Sequence, residues 1–132
     1  MGKIEIGEYV RTKSGFVGKV IGRHGGYGLH YELDVDKEIQ KGFMNGIVHE
    51  DNIVKHSKNI IDLIECGDYV NGELVTGFGY EDVNGEKEKS ILVEGKYTKV
   101  SFALLEWDIK TILTKEQMEA NQYVVKRNME TN

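Results

Sequence analysis

The 132-residue sequence predicts a mostly β protein, built as two small barrels in tandem that share an interface. Three observations carry this reading. Gly7-Glu8-Tyr9-Val10 returns sixty residues later as Gly67-Asp68-Tyr69-Val70. Asp51-Asn52-Ile53 is echoed by Trp107-Asp108-Ile109, with the isoleucines 46 and 42 residues after their respective opening glycines. Short alternating apolar runs are punctuated by 16 glycines and no proline, the pattern of strands joined by tight turns. A module of about 60 residues buries only about 60% of its unfolded surface, so two such modules gain by sharing one.

The first module is expected over 1–56. Ile4, Ile6 and the run Tyr9-Val10-Arg11-Thr12 open it, and Lys13-Ser14-Gly15 turns the chain into Phe16-Val17-Gly18-Lys19-Val20-Ile21-Gly22. Gly18 inside that strand marks a bulge or bend. Arg23-His24-Gly25-Gly26-Tyr27-Gly28 is a glycine-rich hairpin tip, and 29–35 alternates as a third strand. Residues 36–46 form a long polar loop. Ile47-Val48-His49 and Asn52-Ile53-Val54 close the module, turned at Glu50-Asp51.

A linking helix is expected over 57–66, where Ser57 offers an N-cap before Ile60, Ile61, Leu63 and Ile64. The second module, 67–132, opens on Gly67-Asp68-Tyr69-Val70 and turns at Asn71-Gly72, a type I′ hairpin signal. Glu73 to Phe78 forms a strand, 81–89 a charged hairpin loop, and Ser90 to Val93 and Lys96 to Leu105 two further strands. Thr114-Lys115-Glu116-Gln117 is a capping box for a short C-terminal helix, with Tyr123-Val124-Val125 as a last strand.

The opening Gly7-Glu8-Tyr9-Val10, followed by a turn and then Gly18-Lys19-Val20, resembles an SH3-like barrel of the KOW type over about the first 56 residues. That resemblance implies a binding fold, with nucleic acid as one class of ligand.

Composition narrows the function. No apolar run reaches the roughly 18 residues that span a bilayer, so no membrane partner is expected. Met1 to Ile6 has no apolar signal core and Cys66 is the sole cysteine, which together point to a cytoplasmic setting without disulfides. The net charge of −5 lies wholly in residues 57–132, which carry nine Lys/Arg against fourteen Asp/Glu. Binding to a phosphate backbone needs a positive field, so the acidic chain argues against general nucleic-acid binding. A local basic stretch, Lys3, Arg11, Lys13, Lys19 and Arg23, keeps a weaker form open.

The candidate residues follow from that charge pattern. Arg23, His24 and Tyr27, with Lys13 and Lys19, form one set for a phosphate or nucleotide ligand, since glycines admit backbone N–H groups close to an anion. The loop lacks the Lys-Ser/Thr of a P-loop. The aromatics Tyr9, Phe16, Tyr27, Tyr31 and Phe43 read as core first and a ligand face second, and Trp107 as core or interface. His24, His30, His49 and His56 lack metal-ligand spacing, so neither metal nor cofactor is expected. Cys66 sits in an apolar context with no base beside it and reads as a buried small hydrophobe. With no nucleophile beside a base, the chain reads as a binder and not an enzyme. Glu81, Asp82, Glu86 and Glu88 then stand out as the second set, an acidic tip for a protein partner.

The run from Val54 to Gly72, with the later Ile112-Leu113-Thr114-Lys115-Glu116-Gln117, resembles small accessory proteins of phages and prophages of Gram-positive bacteria. What the resemblance implies is context: a host protein as partner, blocked by contact in the manner of anti-CRISPR inhibitors. A nucleic acid or a nucleotide signal is the alternative.

Overall fold

A computed structural model describes residues 3–25, 29–34, 46–95 and 100–120. Tyr27, Phe43, nearly all of the 36–46 loop and the expected strand at Tyr123–Val125 lie outside the described residues. The strands are β1 (Tyr9–Thr12), β2 (Val17–His24), β3 (His30–Asp34), β4 (Ile47–His49), β5 (Ile53–Ser57), β6 (Tyr69–Val70), β7 (Glu73–Val83), β8 (Glu86–Glu94), β9 (Ser101–Leu105) and β10 (Ile112–Leu113). A single described α-helix, α1, spans Lys115–Ala120. The chain is mostly β, as the sequence predicts.

Two antiparallel five-stranded sheets share one order. The first runs β5-β1-β2-β3-β4 and the second β10-β6-β7-β8-β9. In each, a 3-10 turn sits between the fourth and fifth strands, at Glu50–Asn52 and at Glu106–Asp108. The repeat extends to single hydrogen bonds. Glu8 and Asp68 each fold a carboxylate back onto the backbone N–H three residues earlier, at 2.6 Å and 2.8 Å. Gly7 and Gly67 precede them with φ of 99° and 97°, a conformation that favours glycine. The register of β2–β3 slips between Val20 and Gly22, and that of β7–β8 between Val75 and Gly77.

Each sheet buries its own apolar side. Ile4, Val10, Phe16, Val20, Tyr31, Leu33, Val48 and Ile53 pack under the first. Ile61, Ile64, Val70, Val75, Ile91 and Val93 pack under the second. Phe16 and Tyr31 are therefore core, not ligand face.

Several sequence expectations need correction. The sheets are not closed into barrels. The expected linking helix is a 3-10 turn at Ile60–Leu63, because β5 runs on through Ser57 before the chain turns. Ser57 is thus a strand end, and its hydroxyl donates to Asp62 while accepting the Asn59 N–H. Gly18 lies in regular pairing with Val10; the bulge falls at Ile21 instead. The 81–89 segment is not a loop but paired strand, since Asn84-Gly85, both at positive φ, turns the chain in two residues. Other expectations hold. Asn71-Gly72 makes a two-residue turn, and Thr114 caps α1 with Gln117 reaching back to its N–H.

The halves are joined by a buried ion cluster. Arg11 of β1 is 1% exposed and donates to Asp68, at 2.9 Å from Nη2 to Oδ1, to the Leu63 carbonyl and to Glu116. Arg11 is therefore withdrawn from the basic face expected of it. Burial works against its charge, yet Asp68 and Glu116 hold its pKa above the ordinary value. Glu65 bridges Lys115 and Lys55 beside it; the Lys115 hydrogen bond leads in pulling its pKa down to about 2.

Candidate functional site

The β7–β8 hairpin outgrows its sheet. β6 pairs with β7 only at Glu73 and Leu74, and β9 pairs with β8 only from Ser90 to Glu94. Beyond Gly79 and Ser90 the two strands run on alone to the Asn84-Gly85 turn. An isolated two-stranded ribbon is marginal in water, so this arm needs support at its root. Lys89 supplies it: its ammonium bonds Asp62 at 2.9 Å and lies over the Phe78 ring at 5.9 Å. The Asp62 carboxyl is held below its ordinary pKa, first by the Ser57 hydroxyl and then by Lys89.

Register sorts the arm into two unlike faces, because residues directly opposite in an antiparallel ladder share a side. Phe78 opposes the buried Ile91, so Phe78, Tyr80 and Asp82 continue the core side outward with Lys87 and Lys89. Glu81, Glu86 and Glu88 occupy the reverse. The four acidic residues singled out in the sequence are thus split three to one. Asp82 also has a local role, accepting the Gly85 N–H at 3.0 Å to shape the turn.

Glu81 stands directly opposite Glu88. Like charges in that position cost stability, which makes the pair an anomaly in an otherwise consistent ladder. The other face carries a second anomaly: Phe78 is 43% exposed and Tyr80 71%. Trp107, in the turn after β9 at the arm's root, is 61% exposed and so neither core nor buried interface. Phe78 and Tyr80 thus leave aromatic area exposed along one side of the arm.

The basic candidates do not converge. Arg23 opposes the buried Tyr31, which puts it on the core side of β2, whereas His24 opposes His30 on the other side. Lys19 lies over the Tyr9 ring at 5.9 Å. Lys13 lines an open cleft of about 310 Å³ with Thr12, Ser14, Ile47, Val48, His49 and Asn52. Cys66 is exposed, contrary to expectation, because it sits in the turn leading to Gly67. Among the described residues no group of three His, Cys, Asp or Glu side chains stands in position to hold a metal, and no helix is long and apolar enough to cross a membrane.

Sequence reasoning missed the two-faced arm. Its signal was the strict alternation Glu86-Lys87-Glu88-Lys89, which at period two separates the charges by face. No known protein family, curated protein or solved structure matches the chain.

Proposed function

We propose that the chain is a non-enzymatic binding protein that engages a partner protein through the β7–β8 arm. In this reading the two sheets are open SH3-like modules in tandem, supported by their shared strand order and the 3-10 turn before each fifth strand. The arm sets its Glu81, Glu86 and Glu88 face against a basic surface and covers Phe78, Tyr80 and Trp107 with the partner's apolar groups. The observation that carries the reading is the Glu81–Glu88 pair, kept at a cost to the folded state where a partner's cation between the two carboxylates would relieve it. Acidic steering of this kind raises association rates more than final affinity. Taken with the phage resemblance, the partner is a host defence component with a nucleic-acid-handling basic groove, blocked by occupancy in an anti-CRISPR-like way.

Nucleic-acid or nucleotide binding is the second reading, and the Lys13 cleft favours it. It is the weaker one, since Arg11 is sequestered and Arg23 and His24 face apart.

The test is quantitative capture from a Gram-positive bacterial lysate with two variants of equal charge. One replaces Glu81, Asp82, Glu86 and Glu88 by Ser; the other replaces Glu5, Asp34, Asp51 and Glu119. The reading predicts one host protein captured by the wild type and by the second variant but lost with the first. Equal capture by both variants would overturn it.

A further inference from the structure

The β1–β2 turn and the 3-10 turn after β4 face each other across the open cleft of about 310 Å³. The Lys13 backbone N–H bonds the Asn52 carbonyl at 2.8 Å and so ties the two walls together. Gly15, at a φ of 88°, closes the turn, and the Thr114 hydroxyl of the second half holds its carbonyl at 2.7 Å. The cleft is therefore built into the fold. The backbone plan does not require it. Beside the matching turn of the second half the Asn71 side chain spans the gap, bonding the Asp108 carbonyl and the Lys110 and Thr111 N–H groups.

Four side chains on its walls can donate a hydrogen bond: Lys13, Ser14, His49 and Asn52. His49 Nδ1 accepts the Asp51 N–H at 3.1 Å, so the neutral ring carries its proton on Nε2. The Asp51 carboxylate lies 3.4 Å from that same Nδ1 and is not part of the described cleft wall. The Thr12 hydroxyl accepts the Phe16 N–H and, donating to Ser14 at 3.0 Å, leaves the Ser14 proton free for a ligand. Among the described residues nothing pairs with the Lys13 ammonium, the Asn52 amide or His49 Nε2. We propose that the cleft is a site for one phosphate group, carried by a small ester or present as the free ion. A cation, a hydroxyl and two N–H donors, with no carboxylate on the described walls, suit an oxyanion. Ile47, 42% exposed, adds an apolar margin for an ester's organic part.

The site sharpens the second reading above toward a small molecule. Of the described lining residues only Lys13 carries a full positive charge, which matches one phosphate. A nucleic-acid backbone draws its affinity from many such contacts. Lys19 lies over Tyr9 and Arg11 is buried against Asp68, so neither extends the charge. The volume stands at the lower end of ligand sites, which run from about 300 to 1,000 Å³.

The experiment titrates the isotope-labelled full chain with adenosine monophosphate, inorganic phosphate and adenosine, reading heat and backbone amide shifts. One phosphate group per chain is expected, with shifts centred on the Lys13, Ser14, His49 and Asn52 amides. Tighter binding of the monophosphate assigns the site to an ester, and equal affinities assign it to the free ion. Lys13→Ala lowers affinity about tenfold or more, as loss of a charged hydrogen bond does. Lys19→Ala, which removes the same charge from β2, leaves it unchanged. Ligand-free melts of each variant check that the fold is intact. The cleft belongs to the first half and the arm to the second, so Lys13→Ala leaves capture through the arm as it was. No phosphate binding up to millimolar concentration, adenosine binding as tightly as its monophosphate, or an intact Lys13→Ala chain binding as the wild type does overturns the proposal.

Discussion

The two halves repeat one backbone plan and use it for opposite ends. In the first, the Glu8 carboxylate turns back to the Glu5 N–H and to His56, both within its own half. In the second, the equivalent Asp68 takes the Glu65 N–H but also receives Arg11 from the other half and the Lys115 N–H of α1. One turn motif closes a module; the other joins two. The hairpins differ in the same manner. β2–β3 carries imidazoles on its outer side, whereas β7–β8 runs past its sheet and carries glutamates there. A repeated backbone plan leaves such positions free to differ, because neither the core nor the ladder depends on them.

Asp68→Ala gives the largest expected effect. It takes the bidentate partner from a buried guanidinium that keeps Glu116 and the Leu63 carbonyl, and breaking a buried ion pair costs about 3–5 kcal/mol, so a loss toward the lower end is read in the urea unfolding free energy. Glu8→Ala removes hydrogen bonds to one charged group without orphaning an arginine, so about 1.5–3 kcal/mol is expected. If the two cost the same, the joining role of Asp68 is wrong. Arg11→Met with Asp68→Leu should recover only part of the loss, because the uncompensated charge is gone but the Glu65 and Lys115 N–H groups still lose their acceptor.

Thr114→Ala comes next. The Thr114 hydroxyl, fully buried, donates to the Gly15 carbonyl at 2.7 Å and accepts the Gln117 N–H. Losing a cap of this kind costs about 0.5–2 kcal/mol, and its tie to the first half places the loss at the upper end.

Acid should loosen the junction. Glu65 is held at about 2 in the folded chain against an ordinary 4.5, chiefly by Lys115, then Lys55 and Arg11. A depressed carboxyl stabilises the fold above its unfolded pKa and loses that contribution as pH falls through the folded value. Stability should therefore be level above about pH 4.5 and decline toward pH 2. Glu65→Gln should flatten that decline when melts are compared across pH.

Much of the fold was legible in the sequence. The sixty-residue echo, the Asn71-Gly72 turn and the Thr114–Gln117 box are local signals, and local geometry enforces them. What escaped was long-range. Nothing near Arg11 in the chain announces Asp68, 57 residues away. The histidines at 24, 30 and 49 have no helical or loop spacing, and only strand register aligns them. The acidic residues at 81–88 were visible as a cluster, but their division into faces required knowing that the turn takes two residues and no more.

The smallest expected effect bears most directly on the role proposed for the β7–β8 arm. Glu81→Gln with Glu88→Gln removes charge and little else from the opposed pair. The account predicts a chain more stable by about 0.2–1 kcal/mol, because like charges across a ladder repel. The same variant should associate more slowly with the captured partner and lose much of the salt dependence of that step. Stability up and association down, in one preparation, is the predicted result. A variant no more stable than the wild type, binding at an unchanged rate, would contradict the account.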